Sequence, residues 1–261
     1  MPVELGSYLE AIRHDGDAFA AAARLGLDAP VPSCPGWSVA DLVAHTGQVH
    51  RQKEQIVREL VVDNPPDEPE APESGLIEWF EEGVDLLLDT LSRTDPEQPV
   101  WSWYDNDRTA GFWYRRMAHE TVIHRADAEL AHGEVGPIGA ELAADGVDEL
   151  VEVFMAGEYP DWLKLTETDR TIELVIEDAA GRWRLRKIGY SGTSPNSGNV
   201  YADEPGFVLD DGHGDSGAVV SGRARDMLLW TWGRGPLESL TVAGDPSIAG
   251  DLRSAAADAT Q

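Results

Sequence analysis

Apolar residues recur at three- and four-residue intervals through the first 131 positions and alternate with polar ones only after about residue 166. The chain therefore reads as helices followed by strands. Leu5, Leu9, Ile12, Phe19 and Ala23 predict a first helix over 5–25, stopped by Gly26. After a proline-rich connection at 30–36, Ser38 is placed to cap a second helix, with Asp41 in its first turn. Val39, Leu42, Val43, Val49, Ile56, Val57 and Leu60 carry one broad stripe to its end. Segment 63–74, with four prolines and five acids, cannot pack and is expected as a solvated loop. Trp79, Phe80, Val84, Leu87, Leu88 and Leu91 predict a third helix over 76–92, and a fourth runs from about 109 to 131. A further helix is expected from about 138 to 156, before the break at Gly157-Glu158-Tyr159-Pro160-Asp161.

Strict alternation then marks strands at 171–177 and 183–188, joined through a turn at 178–182, with shorter strand candidates at 199–202 and 206–209. Residues 222–232 read as a helix, 240–242 as a last strand, and Gly244-Asp245-Pro246 opens a short terminal helix. The fold class that follows is α+β in two domains. A helical bundle is expected over 1–160 and a small α+β domain over 166–261.

With 261 residues and 42% hydrophobic content, the chain is long enough for two modest cores. Forty-eight acids against twenty basic residues give a formal charge of −28, which repels phosphate backbones and anionic membranes, so nucleic-acid binding is not expected. The single cysteine, Cys34, allows no intrachain disulfide, and its place in a tight Pro-Gly turn suits packing better than nucleophilic chemistry. The first residues lack the basic and apolar segments of a signal peptide, and no apolar run is long enough to span a membrane; a cytoplasmic location is the expectation. The oligomeric state is not legible. Eight of the nine tryptophans, at 79, 101, 103, 113, 162, 183, 230 and 232, are expected mostly in the core.

The chemistry concentrates in His119-Glu120-Thr121-Val122-Ile123-His124-Arg125-Ala126-Asp127. A glutamate and a histidine four apart on a helix project side by side and suit one metal ion, and Trp113 and Met117 share their face. A buried carboxylate needs such a partner. Catalytic zinc usually takes three protein ligands and leaves one position open, so a third donor is sought on the second helix. Periodicity leaves both His45 and His50 open there, although residues five apart diverge by about 140° and do not serve one ion together. Asp127 lies near the face of His124 and suits either the imidazole's other nitrogen or a salt bridge to Arg116 or Arg125.

The segment Cys34-Pro35-Gly36-Trp37-Ser38-Val39-Ala40-Asp41-Leu42-Val43-Ala44-His45, with His119-Glu120 and His124-Arg125-Ala126-Asp127 downstream, resembles the mycothiol-dependent maleylpyruvate isomerase family, whose N-terminal half is a DinB-like four-helix bundle. Residues 222–234 and Val242-Ala243-Gly244-Asp245 are similar to the closing helix and strand of that family's smaller domain. The resemblance implies a divalent metal, usually zinc, held by His45, Glu120 and His124, with His50 and His119 left to outer or structural roles. It implies mycothiol as the low-molecular-weight thiol cosubstrate and an electrophilic small molecule as the second partner. It also implies a functional arginine from the second domain. Arg234, after two tryptophans at a helix end, is the candidate to grip a substrate carboxylate, with Arg223 and Arg225 as competitors and a capping role beside it. Isomerisation and thiol transfer need the same site. The rival readings are a metal-binding regulatory or ligand-binding protein without turnover, and metal-assisted hydrolysis.

Overall fold

The computed structural model describes residues 3–155, 159–195, 197–212 and 214–260. The chain divides into two compact units, one ending at Pro137 and one beginning at Ile138. The first contains α1 (Leu5–Ala23), α2 (Val39–Arg58), α3 (Leu76–Arg93) and α4 (Ala110–Leu130), with α1 packed along α4 and α2 along α3. Each helix follows the apolar stripe that predicted it. Ser38 starts α2 through a reciprocal cap: Asp41 N–H donates to the serine hydroxyl, and the Ser38 N–H donates to the Asp41 carboxylate at 2.8 Å. Phe19 and Phe80 meet at 4.9 Å between ring centroids, and Ile12, Leu42, Ile56, Leu87 and Trp113 are fully enclosed around them. The stretch 63–74 forms no helix or strand, as its prolines and acids dictate.

Helix α4 departs from a simple amphipathic helix. It is buried on nearly every side, with Arg116, His119, Arg125 and Asp127 inside along with its apolar residues. Each enclosed charge has a counter-group, as burial requires. The Arg125 guanidinium donates to Asp15 on α1 at 2.9 Å and to the Pro137 carbonyl at 3.1 Å, closing the unit at its last residue.

The second unit begins with α5 (Ala140–Glu149), which runs on as one wider π-helical turn, Leu150–Met155. A five-stranded sheet follows, built from β1 (Lys164–Ile176), β2 (Arg182–Thr193), β3 (Val200–Leu209), β4 (Ala218–Gly222) and β5 (Thr241–Gly244) in the order β3-β2-β1-β4-β5. All neighbours are antiparallel except β1 and β4. Between β4 and β5 lies α6 (Ala224–Thr231), and α7 (Pro246–Ala259) ends the chain. Ile172, Leu174 and Ile176 of β1 are buried with Met227, Leu228, Ile248 and Leu252 of the two helices.

The compact units divide at 137/138, with α5 packed against α6 inside the second, whereas the sequence reading carried the first domain to 160. An apolar stripe says which face of a helix is covered, not by what. The expected end of that helix at Ala156 and the break at Gly157-Glu158 lie outside the described residues. Strand β4 was not anticipated from sequence, and the two candidates at 199–202 and 206–209 are one strand. Pro205 and Gly206 interrupt its pattern, yet β3 is an edge strand, where a missing N–H is tolerated. Trp113, Trp230 and Trp232 are core residues, whereas Trp37, Trp103 and Trp162 are exposed. Among the described residues no helix is long and apolar enough to cross a membrane.

Candidate metal centre

The 3.6-residue period of α4 sets Glu120 and His124 one turn apart on one side, and α2 brings His45 against them. His45 Nε2 lies 3.5 Å, and His124 Nε2 3.2 Å, from the same Glu120 oxygen, Oε1. One ligand atom from each of the three residues falls within 4.8 Å of the others. Donors around a tetrahedral zinc, at bond lengths of about 2.0–2.1 Å, stand roughly 3.3 Å apart. The spacing and the chemistry of this donor set therefore fit one divalent cation. The side chains of Glu120 and His124 are only 14% and 13% exposed, whereas His45 is 35% exposed, so the cluster opens to solution on the α2 side. The sequence had pointed both α4 side chains inward with Trp113 and Met117; the latter two are buried, and the donors stand at the margin of that core.

The remaining atoms of the cluster are occupied in ways that favour this use. Arg116, one turn before Glu120, donates to Oε2 at 2.6 Å and leaves Oε1 turned to the imidazoles. Asp127, fully buried, accepts from His124 Nδ1 at 3.0 Å, which aims Nε2 at Glu120. Ser33, in the loop before α2, donates a short hydrogen bond to the other Asp127 oxygen, and Cys34 Sγ stands 3.9 Å from Asp127 Oδ2. The Trp37 ring packs edge-on against His45 at 5.2 Å, and His45 meets the His124 ring at the same distance.

Electrostatics show what the donors do as a set. Burial pushes the Glu120 carboxyl upward, but the charge and hydrogen bond of His124, the hydrogen bond of His45 and the charge of Arg116 outweigh it and hold Glu120 well below the ordinary carboxylate range. Burial likewise disfavours a charged His124, but Glu120 and Asp127 prevail and raise its pKa to about 9. A proton thus sits on His124 at neutral pH, where a bound cation would replace it.

His50 does not join. It is enclosed, with Nε2 3.0 Å from Thr121 Oγ1 and its ring stacked on Phe80 at 5.6 Å, and burial drives its pKa down to about 4. His119 is buried edge-on to Tyr8 at 6.1 Å. Of the arginines weighed on the second unit, Arg223 pairs with Asp178 at 3.2 Å and Arg225 with Asp226 at 3.0 Å, while Arg234 donates to the Trp232 carbonyl at the end of α6. Sequence reasoning did not single out the Ser33 contact, which spans 94 residues and leaves no local signal, nor Arg116 as the clamp on Glu120, which its helical spacing would have allowed.

Residues 9–129 match the family model for the mycothiol maleylpyruvate isomerase N-terminal domain, and residues 141–257 match the MDMPI C-terminal domain. Two solved structures share the fold: a mycothiol-dependent maleylpyruvate isomerase, and a histidine-to-alanine mutant of it. Each is 16% identical, with 92% of this chain and 93% of the other covered and TM-scores of 0.57 and 0.58 respectively. No curated protein matched the chain.

Proposed function

Because the chain belongs to the mycothiol maleylpyruvate isomerase family, both of whose domain models it matches in order, we propose that it is a mycothiol-dependent metalloenzyme acting on an electrophilic small molecule. The observation that carries this reading is the convergence of His45 and His124 on one oxygen of Glu120, with that oxygen's partner taken by Arg116. These three residues would hold a divalent metal, zinc by preference of the donor set, with a position left for the thiol. Bound there, the cation supplies positive charge that favours the deprotonated form of a thiol near neutral pH.

The chain's own residues do the rest. Arg116 fixes the Glu120 carboxylate, and Asp127 fixes the His124 tautomer so that Nε2 is the free donor. The partial exposure of His45 gives a low-molecular-weight thiol its approach. For an isomerisation, the thiolate sulfur forms a bond to one carbon of an activated double bond, whose electrons move onto the conjugated carbonyl. Rotation about the resulting single bond, followed by loss of the same sulfur, restores the double bond in the other geometry and regenerates the thiol. If the sulfur stays attached and the resulting enolate takes up a proton at carbon from solvent, the same first step gives thiol transfer.

Arg234 keeps the proposed role of gripping a substrate carboxylate. Its support is a neighbour of like charge: Arg253 presses so closely on Gly233 that a Cβ there would lie 1.7 Å from its guanidinium, and burial followed by the Arg234 charge lowers the Arg253 pKa. Two adjacent guanidinium groups are stabilised by an anion. The lone cysteine fits a reducing, cytoplasmic setting.

The test is metal analysis and turnover of protein purified without added metal. His45→Ala, Glu120→Gln and His124→Ala should each lose most of the metal and the mycothiol-dependent conversion of maleylpyruvate, whereas His50→Ala should keep the metal. Arg234→Met should retain metal and raise KM more than it lowers kcat. Metal loss from His50→Ala alone would overturn the donor assignment. Turnover that needs no thiol would favour hydrolysis, and ligand binding without turnover would favour a regulatory protein.

A further inference from the structure

The second unit carries an open cleft of about 310 Å3 that shares no residue with the metal donors. Six aromatic residues line it, Phe154 and Phe207 together with a run of four rings: Tyr159, Trp162, Tyr190 and Tyr201. These four form a continuous wall. Tyr159 and Tyr190 lie 5.7 Å apart between centroids, Tyr190 and Tyr201 5.7 Å, and Tyr201 and Trp162 6.0 Å, each ring tilted against the next by 43°, 51° and 36° in turn. A wall of this kind presents π-electron density to whatever enters.

Two strand glycines make room for it. A Cβ on Gly206 of β3 would fall 2.4 Å from the Tyr159 hydroxyl and 3.1 Å from the Tyr190 ring. A Cβ on Gly192 of β2 would fall 2.8 Å from the Trp162 carbonyl and 3.2 Å from its indole. Glycine inside a strand sacrifices packing and conformational entropy, and here each one lets an aromatic residue lie directly on the sheet. The arrangement is built into the backbone, not a chance gap between side chains.

The lining carries one formal charge, the Asp258 carboxylate. It sits in the last turn of α7, at the negative end of that helix. Among the described residues no cation pairs with it; Tyr190 lies beside it, and burial and then the Asp258 charge raise the pKa of that phenol. Aromatic faces, a carboxylate and a helix C-terminus all favour positive charge, and none of them supplies it. A bare ammonium ion would lose its water on entering, whereas a methylated ammonium is weakly hydrated and offers apolar surface to the rings.

We propose that this cleft binds a small soluble organic cation bearing a quaternary ammonium head. The proposal is independent of the metal centre. It is tested on the full-length protein by titration with choline and with 3,3-dimethylbutan-1-ol, its neutral carbon isostere, followed by calorimetry and by the fluorescence of the tryptophans. Choline should bind saturably and at least about tenfold more tightly than the isostere, and ammonium chloride at equal concentration should not displace it. Asp258→Asn, at an exposed position that should not disturb folding, should weaken choline about fivefold or more and leave the isostere unchanged. Equal affinity for choline and isostere would make the cleft merely apolar and overturn the assignment. So would the absence of choline binding up to about 50 mM, where even a Kd in the millimolar range would register. Displacement of choline by ammonium, or an Asp258→Asn variant with unchanged choline affinity, would equally overturn it, reducing the effect to the general attraction of an acidic protein for cations. A trimethyllysine peptide binding more tightly than choline would overturn the assignment to a small molecule.

Discussion

Asp127 is the residue on which the geometry of the donor set most depends, because it has no water to fall back on. Its carboxylate accepts from His124 Nδ1 and from the Ser33 hydroxyl, and it is fully buried. An asparagine there replaces one acceptor oxygen by an amide that donates, so His124 loses either its orientation or its tautomer. Asp127→Asn should lower metal affinity about 10–100-fold with helix content unchanged, as read by competition with a chromogenic chelator; an unaltered affinity would remove Asp127 from the site. Two buried histidines, His124 in the cluster and His50 outside it, set the pH dependence of the metal-free protein. The folded pKa of His50 is lowered from 6.5 to about 4, so the native state binds fewer protons than the unfolded chain between those values and stability falls as pH drops through them. His124 behaves oppositely: its folded pKa is raised from 6.5 to about 9, so the stability it contributes is complete below 6.5 and lost as pH rises to 9. Each window corresponds to about 3 kcal/mol. The depressed Glu120 pKa reflects the same pairing with His124 and is not counted again; its effect is a further loss as pH falls below the ordinary carboxylate value of 4.5. Urea midpoints of metal-free protein should therefore peak near pH 6.5 and decline on both sides. With metal bound, His124 is neutral in the folded state and the alkaline decline should vanish; a decline that persisted would mean the metal does not replace that proton.

At the scale of the elements, close approach of helices is set by small residues as much as by apolar ones. Gly47, two positions after His45 on α2, lies under Trp79 of α3, where a Cβ would come 2.3 Å from the indole. That ring is also held by Arg51, whose guanidinium stands 4.7 Å from its centroid and donates to the Trp79 carbonyl at 2.7 Å. Gly47→Ala gains about 1 kcal/mol of helix propensity but forces overpacking worth about 1–3 kcal/mol, so the first unit should be net destabilised. Gly250 in α7 has no atom within 4 Å of its would-be Cβ, and Gly250→Ala should stabilise the second unit by up to about 1 kcal/mol. Denaturation of both variants should show opposite signs, and like signs would refute the packing argument. The helices were legible because period, cap and stripe agree, most clearly at Ser38, Asp41 and the apolar run of α2. Strand β4 was not, since a five-residue run, Ala218–Gly222, has no period long enough to separate it from loop, and its parallel pairing with β1 joins residues 46 apart, Ile172 with Ala218. In the site, the Glu120–His124 pair and Arg116 follow from spacing on one helix. Which histidine of α2 faces them does not. His45 and His50 differ by a rotation that the stripe leaves ambiguous, and only the likeness to a known family favoured His45.

For the molecule as a whole, the formal charge of −28 works against any anion that approaches it, a carboxylate-bearing electrophile included, so cationic side chains must act locally if such a substrate is to be held. The organisation into two units separates these tasks. His45, Glu120, His124 and their supports Ser33, Arg116 and Asp127 all fall before Pro137, and the buried Arg125 ties α4 to α1 and to the Pro137 carbonyl itself. A unit with its own enclosed core and its last residue hydrogen-bonded inward meets the requirements for folding alone. The fragment 1–137 should accordingly be helical, unfold cooperatively, and bind one divalent ion with an affinity within about threefold of the full chain, less than 1 kcal/mol of difference. Conversion of maleylpyruvate should be lost from it if Arg234 serves the reaction, because that arginine lies in the other unit. Circular dichroism establishes whether the fragment folds before its metal content is read. A folded fragment that binds no metal would show that the donors seen together on α2 and α4 are insufficient, and that a ligand from beyond residue 137 completes the site.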